Sequence, residues 1–275
     1  LVVDNNSSDQ TKSLVVGFEA LLGERLRYLF DEKQGLSHAR TRGIHESRGE
    51  WICFTDDDVR LDQNWLVSIS SAITEDPDMD AYGGRIKPKW VTEPPKWFIR
   101  KGKYAMNGGT IPGRDLGDAV CNMNERNVNP IGANMGFRKE VFDKVGLFHP
   151  NFGKTGDSPG LGDDVQFCRR VKEAGFEILY LPDPIVWHDV EVERLQLPVL
   201  KQYYFELGYS RGRQRMVPDQ AKWWFGAPRY LFRELLTCLM KSFGLYFVSQ
   251  GKSYYYLFMF HYARGMIKGC SEKQL

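Results

Sequence analysis

From Leu1 to Val190 short apolar runs alternate with stretches that carry helix signals, and several of the runs end in carboxylates. That alternation restricts the chain to an α/β fold, a sheet flanked by helices whose ligands sit outside the carboxyl ends of the strands. Leu1-Val2-Val3 ends in Asp4 and is followed by NNSSDQT, a run of turn and helix N-cap residues. Leu26 to Phe30 predicts a second strand, GLSHARTRGIHESRGE a helix closed by Gly49, and Trp51 to Thr55 a third strand. The third strand delivers Asp56, Asp57 and Asp58 at its end, so one crevice is expected to hold them together with Asp4. A helix from Asp62 to Thr74 and a strand AYGGRIKPKW come next. Val91 to Val128, rich in Gly, Pro and Asn, reads as a functional loop or as disorder. Regular structure resumes with IGANMGFRKEVFDKVG, then a Gly-rich loop NFGKTGDSPGLG, a helix starting near Asp163, and two strands, FEILYLP and PIVWH.

Three adjacent carboxylates raise one another's pKa unless a cation or hydrogen-bond donors offset them. A hard divalent metal bridging to a phosphorylated ligand is one solution. The other is a solvated acidic turn at the positive end of the helix predicted from Asp62.

With 275 residues, 42% of them hydrophobic, the chain can bury one large core, or one core plus an appendage. Its five cysteines are scattered and include no C-x-x-C pair, which predicts reduced thiols in a cytosolic setting rather than disulfides or a zinc site. No signal peptide and no run of 18 or more uncharged apolar residues is visible. The first residue is Leu1 and the first residues already read as a strand, so an upstream segment is expected to be missing.

Net charge is +2 and unevenly spread: Arg194 to Leu275 holds 13 Lys+Arg against 4 Asp+Glu, the remainder 24 against 31. Such asymmetry points to an anionic partner for the tail. RYLFRELLTCLMKSFGLYF spaces Leu231, Leu235, Leu239 and Phe243 along one expected helical face, and YYYLFMFHYARGMIKG adds a second aromatic, basic stretch. Helices of this kind lie in the interface of an anionic membrane surface, or pack as a pair on the rest of the chain or on a second subunit. No nucleic-acid partner is expected, since the basic residues are interleaved with bulky apolar ones and no recognised motif accompanies them.

LVVDNNSSD, GLSHARTRGIHESRGEWICFTDDD, IGANMGFRKEVFDKVGLF and LGDDVQFCRRVKEAGFEILYLPDPIVWH follow one another in the order and spacing of family-2 glycosyltransferases, and the chain resembles that family over roughly residues 1 to 215. The resemblance implies a GT-A fold, an α/β domain with a mixed, mostly parallel sheet, in residues 1–193, followed by a basic, aromatic-rich helical region in 194–275. It implies a nucleotide-diphosphate sugar donor and a D-x-D motif holding Mn or Mg. Asp56 then takes the first motif position, near ribose and metal, and Asp58 the metal, with Asp57 as the alternative ligand. Asp4 reads the nucleotide base, commonly uracil, which favours a UDP-type donor; its other reading is a helix N-cap. Arg40 contacts the base or the diphosphate. Gly132 and Asn134 lie beside the donor sugar, where glycine allows close backbone approach. Asp163 stands at the family's glutamate position and Asp164 at that of the general base, which takes the acceptor hydroxyl's proton in a single inverting displacement. His188 completes the metal site or is a satisfied structural histidine. The Trp-rich WVTEPPKWF stacks on sugar rings or packs on the sheet.

The chain departs from the family in two places. The usual first strand and helix, a unit of about 30 residues, are missing. The Q-x-x-R-W motif of processive members is absent, so transfer of one sugar per encounter is expected. The implied function is inverting transfer to a hydroxyl of a saccharide or lipid-linked acceptor in cell-surface polysaccharide synthesis. The implied location is the cytoplasm, peripheral on the inner face of the plasma membrane if the tail attaches there. The alternatives are a sugar-1-phosphate nucleotidyltransferase and a non-catalytic carbohydrate- or membrane-binding module.

Overall fold

The strands of the computed structural model are short where the apolar runs are short. β1 (Val2–Asp4), β2 (Tyr28–Phe30), β3 (Trp51–Phe54) and β4 (Val59–Leu61) span three or four residues each. Helices α1 (Thr11–Gly17), α2 (Glu19–Leu22), α3 (Leu36–Glu46) and α4 (Trp65–Glu75) are interspersed with them. β5 (Ala81–Trp90), β6 (Cys121–Asn122), β7 (Met135–Arg138), α5 (Lys139–Val145), α6 (Asp163–Glu173) and β8 (Ile178–Val190) follow. The tail is α7 (Leu197–Arg213), a hairpin of β9 (Trp223–Trp224) and β10 (Ala227–Pro228), α8 (Arg229–Leu245) and α9 (Gln250–Ser271). The structure describes residues 1–106, 111–150, 152–153 and 161–272, so most of the Gly-rich loop expected at 151–162 lies outside the described residues.

Contacts divide the chain into two compact units, 1–55 with 70–84 and 119–181, and 56–69 with 85–118 and 182–275. The separation into 1–193 and 194–275 follows sequence character; these units are drawn differently, and α4, β5 and β8 contribute residues to both.

In the first unit β1 and β2 pair in parallel, with Val2 opposite Tyr28 and Asp4 opposite Phe30. β7 pairs antiparallel with β3 and with the start of β5, and β6 pairs antiparallel with Leu179 and Tyr180 of β8. The sheet structure is mixed, as expected, with β1 and β2 parallel and the pairings of β7 and β6 antiparallel. Its core is aromatic: Phe167 meets Phe137 edge-on at 5.1 Å and stacks on Phe148 at 4.5 Å. α3 buries Ser37, Arg40 and Ile44, spaced three and four apart on one helical face. It ends at Glu46, not Gly49, because Ser47 turns extended and both its amide and its hydroxyl donate to the Ile44 carbonyl.

FEILYLP and PIVWH, expected as two strands, form the single strand β8. Pro182 and Pro184 fall between the stretches of β8 that pair with β6 and with β4, so neither of those two ladders needs an N–H from them.

In the second unit β4 pairs antiparallel with β8, placing Val59 opposite His188. Phe98, Met106, Leu195, Leu200 and Phe258 share a core against which Trp90 and Trp97 pack, and Trp97 meets Tyr254 edge-on at 5.0 Å. The Trp-rich segment therefore packs on the helices of the tail. α7 and α9 approach closely because glycines face each other: a methyl group on Gly208 would strike the Tyr262 carbonyl, and one on Gly265 the Phe205 carbonyl. The aromatic stretch of α9 is thus an internal packing element.

α8 behaves differently. Leu231 is buried and Leu235 half-buried, whereas Leu239 and Phe243 are exposed, so the four do not share one environment. A spacing of four turns a helix by about 40° more than one full revolution, and three such steps carry the series from core to solvent.

The glycine contact makes a paired prediction. Gly265→Ala should destabilise the protein by about 1–3 kcal/mol through overpacking. Gly244→Ala, on α8 with no atom within 4 Å of the added carbon, should stabilise it by about 0.5–1 kcal/mol through backbone entropy. Urea denaturation of both variants checks this; equal signs would refute the close-packing account.

Candidate active site

The first unit holds two groups of expected site residues. Asp4 is buried at the end of β1, where its carboxylate accepts a 2.5 Å bond from the Tyr28 hydroxyl and a 2.8 Å bond from the Ser7 amide. Burial raises its pKa, but these donors outweigh burial and hold the group below the usual carboxylate range. The same bond pushes Tyr28 up to about 12. Asp4 does not cap α1; Asp9 accepts from the Thr11 amide near that helix's start instead. Tyr28 had no motif to reveal it, and only the parallel register of β1 with β2 brings it alongside.

The second group forms where α3 meets the start of α6. The Arg40 guanidinium donates to Asp163 at 2.5 Å, and the two side chains are 7% and 6% exposed. Arg40 also lies over the Phe148 ring at 5.4 Å. A side chain on Gly132 would collide with the Arg40 guanidinium, so glycine is required there for Arg40 to hold its place. The Gly132 amide donates to Asp164 at 3.3 Å and the Val165 amide at 2.7 Å. Burial, followed by the neighbouring Asp163 charge, nevertheless raises Asp164 to about 6, with Arg40 pulling the other way. Gly132, Arg40, Asp163 and Asp164 are therefore one constellation, with an acid of unusual basicity at its edge. Asn134 is fully buried elsewhere in this unit, its side chain filling the space that a Cβ on Gly84 would take.

The second unit carries Asp56, Asp57 and Asp58 in the turn before β4. Asp56 is half-buried and Asp57 exposed. The register of β4 on β8 brings Asp58 to His188, whose Nε2 lies 3.2 Å from the carboxylate while Nδ1 lies 3.0 Å from the Asp189 carbonyl. Arg194 donates to the other Asp58 oxygen at 2.7 Å. The His188 contact first, and Arg194 with it, holds Asp58 down at about 2. Burial opposes the charging of His188, yet Asp58 and the Asp189 carbonyl outweigh it and raise the imidazole. Arg194 is 136 positions from Asp58 in sequence and carries no motif, so only the structure reveals the pair.

Residues 1–146 match the family described as glycosyl transferase family 2. The chain belongs to glycosyltransferase family 2. A glucosyl-dolichyl phosphate glucuronosyltransferase of Haloferax volcanii is 27% identical over 192 residues, 70% of this chain and 59% of the relative. Glycosyltransferase AglE of the same organism is 31% identical, covering 68% and 55%, and the succinoglycan biosynthesis protein ExoM of Rhizobium meliloti is 23% identical, covering 78% and 63%. The chain thus spans less than two thirds of the length of each of these relatives. Two solved structures share its fold. GalNAc-T7 with UDP, GalNAc and Mn2+ aligns at a TM-score of 0.50 and 15% identity, over 78% of this chain and 44% of that one. Mannosyltransferase PcManGT from Pyrobaculum calidifontis, with GDP-Man and Mn2+, aligns at 0.50 and 17%, over 79% and 55%. The GT-A fold expected for family 2 is therefore present, and relatives serve in glycan and polysaccharide synthesis.

Proposed function

We propose that this family-2 chain moves a hexosyl group from a nucleotide-diphosphate sugar to an acceptor hydroxyl in one inverting displacement. The observation that carries this reading is Asp164, a carboxyl raised to about 6 at the head of α6. A hydroxyl becomes a competent nucleophile as its proton leaves, and a base is most effective when its pKa is near the working pH. Asp164 takes that proton. Gly132 borders the donor sugar, Asn134 supports the sheet from its buried place behind Gly84, and Asp163 keeps Arg40 in place while neutralising part of its charge. Asp4, fixed by Tyr28 and Ser7, accepts the ring N–H of the base, a task that favours uracil, and Asp56 holds the ribose.

The donor set around Asp58 fits a divalent cation in chemistry. A carboxylate and an imidazole lie together, with the Nδ1 of His188 turned to a backbone carbonyl so that Nε2 faces Asp58. Among the described residues no group of three or more His, Cys, Asp or Glu side chains gathers as a metal cage. Mg²⁺ or Mn²⁺ would bind here through one or two carboxylates together with the donor's phosphates. When bound, the cation stabilises the charge that develops on the departing diphosphate. Asp58, rather than Asp57, is the ligand we assign, because Asp58 is the one that meets His188. Arg194 must release Asp58 for this role.

The saccharide or lipid-linked acceptor draws support from the relative whose name couples glucuronosyl transfer to glucosyl-dolichyl phosphate. Calorimetry with UDP and Mn²⁺ tests the assignment. Affinity should fall at least about tenfold on adding EDTA, and Asp58→Ala should show the weakened affinity with no further response to EDTA. Full affinity in the variant that remains EDTA-sensitive would place the metal elsewhere, and Asp57→Ala should behave as wild type.

A further inference from the structure

Trp223-Trp224-Phe225-Gly226-Ala227-Pro228 folds as a two-residue hairpin, with Trp224 opposite Ala227 and Trp223 opposite Pro228. Its tip places Phe225 at φ 46° and Gly226 at φ 76°, both in the left-handed region of a type I′ turn. Glycine adopts that conformation freely, but an aromatic side chain is strained in it. Here the strain projects a phenylalanine that is 76% exposed, flanked by exposed Trp223 and Trp224. Its ring meets that of Trp224 at 4.7 Å, so the two aromatics form one exposed tip.

The hairpin leads directly into α8. Positions 229, 233, 236, 240, 243 and 247 are separated alternately by four and three residues, so they form one line along the helix and the turn after it. That line begins with Arg229 and Arg233 and continues with Leu236, Met240, Phe243 and Phe247, the last two 78% and 86% exposed. Tyr246 and Val248, also exposed, broaden its apolar end. Arg229, Arg233, Lys222 and Tyr230 line an open concavity of about 470 Å³ at the basic end. Among the described residues none of those three cations pairs with a carboxylate. Between Arg211 and Val248 there are seven Lys and Arg and two Asp and Glu, the acids being Asp219 and Glu234.

We infer that the hairpin tip and the outer face of α8 form a docking surface for an anionic lipid bilayer. The surface has two chemically distinct parts in the order a membrane presents them. Unpaired cations around a concavity match lipid phosphates, and the adjoining aromatic and aliphatic side chains match the boundary between headgroups and acyl chains. Indole rings next to the cations suit the headgroup level. No described helix is long and apolar enough to cross a membrane, so this face would lie on the bilayer rather than span it. The inference does not rest on the sugar-transfer reading.

The test is co-sedimentation of the full chain with phosphatidylcholine vesicles, with and without about one third phosphatidylglycerol, at about 0.05 M and about 0.5 M NaCl. Wild type should bind the anionic vesicles at least about tenfold more tightly than the neutral ones, and the preference should shrink at high salt. Arg229→Glu with Arg233→Glu should lose at least about tenfold in affinity for anionic vesicles. Phe243→Ser with Phe247→Ser should bind weakly to both kinds. Far-UV circular dichroism and melting temperature keep misfolded variants out of the comparison, and Trp223→Phe with Trp224→Phe should remove a blue shift in tryptophan emission on vesicle binding. Equal sedimentation with neutral and anionic lipid overturns the inference. So does wild-type binding by a folded charge-reversal variant, or a stable dimer that buries this face and ignores lipid.

Discussion

Asp164→Asn should lower kcat by about 10²–10⁴-fold while the affinity for nucleoside diphosphate stays within about twofold of wild type. The amide keeps the shape of the carboxyl and can still meet backbone groups, but it takes no proton. In wild type, kcat/KM should climb with pH through the range set by a group near 6, since only the ionised carboxyl acts as base; in the variant that limb should disappear. Stability should move in the opposite direction. A carboxyl whose folded pKa lies above its unfolded value supplies stability that is complete below the unfolded pKa and is lost as pH rises through the folded one. Wild type should therefore lose stability between about pH 4 and pH 7 relative to Asp164→Asn, which has no charge to bury. Higher stability with near-zero turnover at pH 8 is the signature of a residue strained for its task. A variant that turns over normally would move the base elsewhere.

Arg40→Ala carries the largest expected loss of stability, about 3–5 kcal/mol, because it abandons the Asp163 carboxylate in a buried position. Arg40 and Asp163 are both nearly inaccessible and joined at 2.5 Å, so water cannot replace the guanidinium without opening the α3 and α6 contact. The variant should also report on catalysis through charge. Arg40 draws the Asp164 pKa downward, so its removal should shift the acid limb of kcat/KM to higher pH. Arg40→Ala with Asp163→Ala should recover part of the stability, since the Asp163 carboxylate is no longer left buried without its partner. Urea unfolding and pH profiles of the three variants separate these effects. If Arg40→Ala unfolds like wild type and loses only donor affinity, the residue serves the nucleotide alone.

Much of this was legible in the chain itself. AYGGRIKPKW is strand β5 from end to end, and the carboxylates of Asp4 and Asp56 to Asp58 follow strands as their placement required. Family membership rested on four segments in register, which no single motif could have shown. Where sequence and structure differ, tertiary contacts override local signals. Pro182 and Pro184 suggest a strand break but fall between the ladders that β8 makes with β6 and β4. The leucine spacing of α8 suggests one face, yet a spacing of four exceeds a full turn. Arg194 opens a basic tail in the sequence, and nothing local marks its hold on Asp58.

The core around Phe258 has a consequence for how the chain is made. Phe98, Met106 and Leu200 cannot close their cluster until α9, which carries Phe258, has been synthesised. Contacts across such sequence separations delay folding and leave apolar surface open during synthesis. The second unit is therefore a late-folding body whose early pieces, residues 56–69 and 85–118, emerge from the ribosome well before their partners. Premature termination anywhere before α9 leaves Trp97 and Phe98 without their cover, so a shortened chain is a substrate for chaperones and proteases rather than a smaller enzyme.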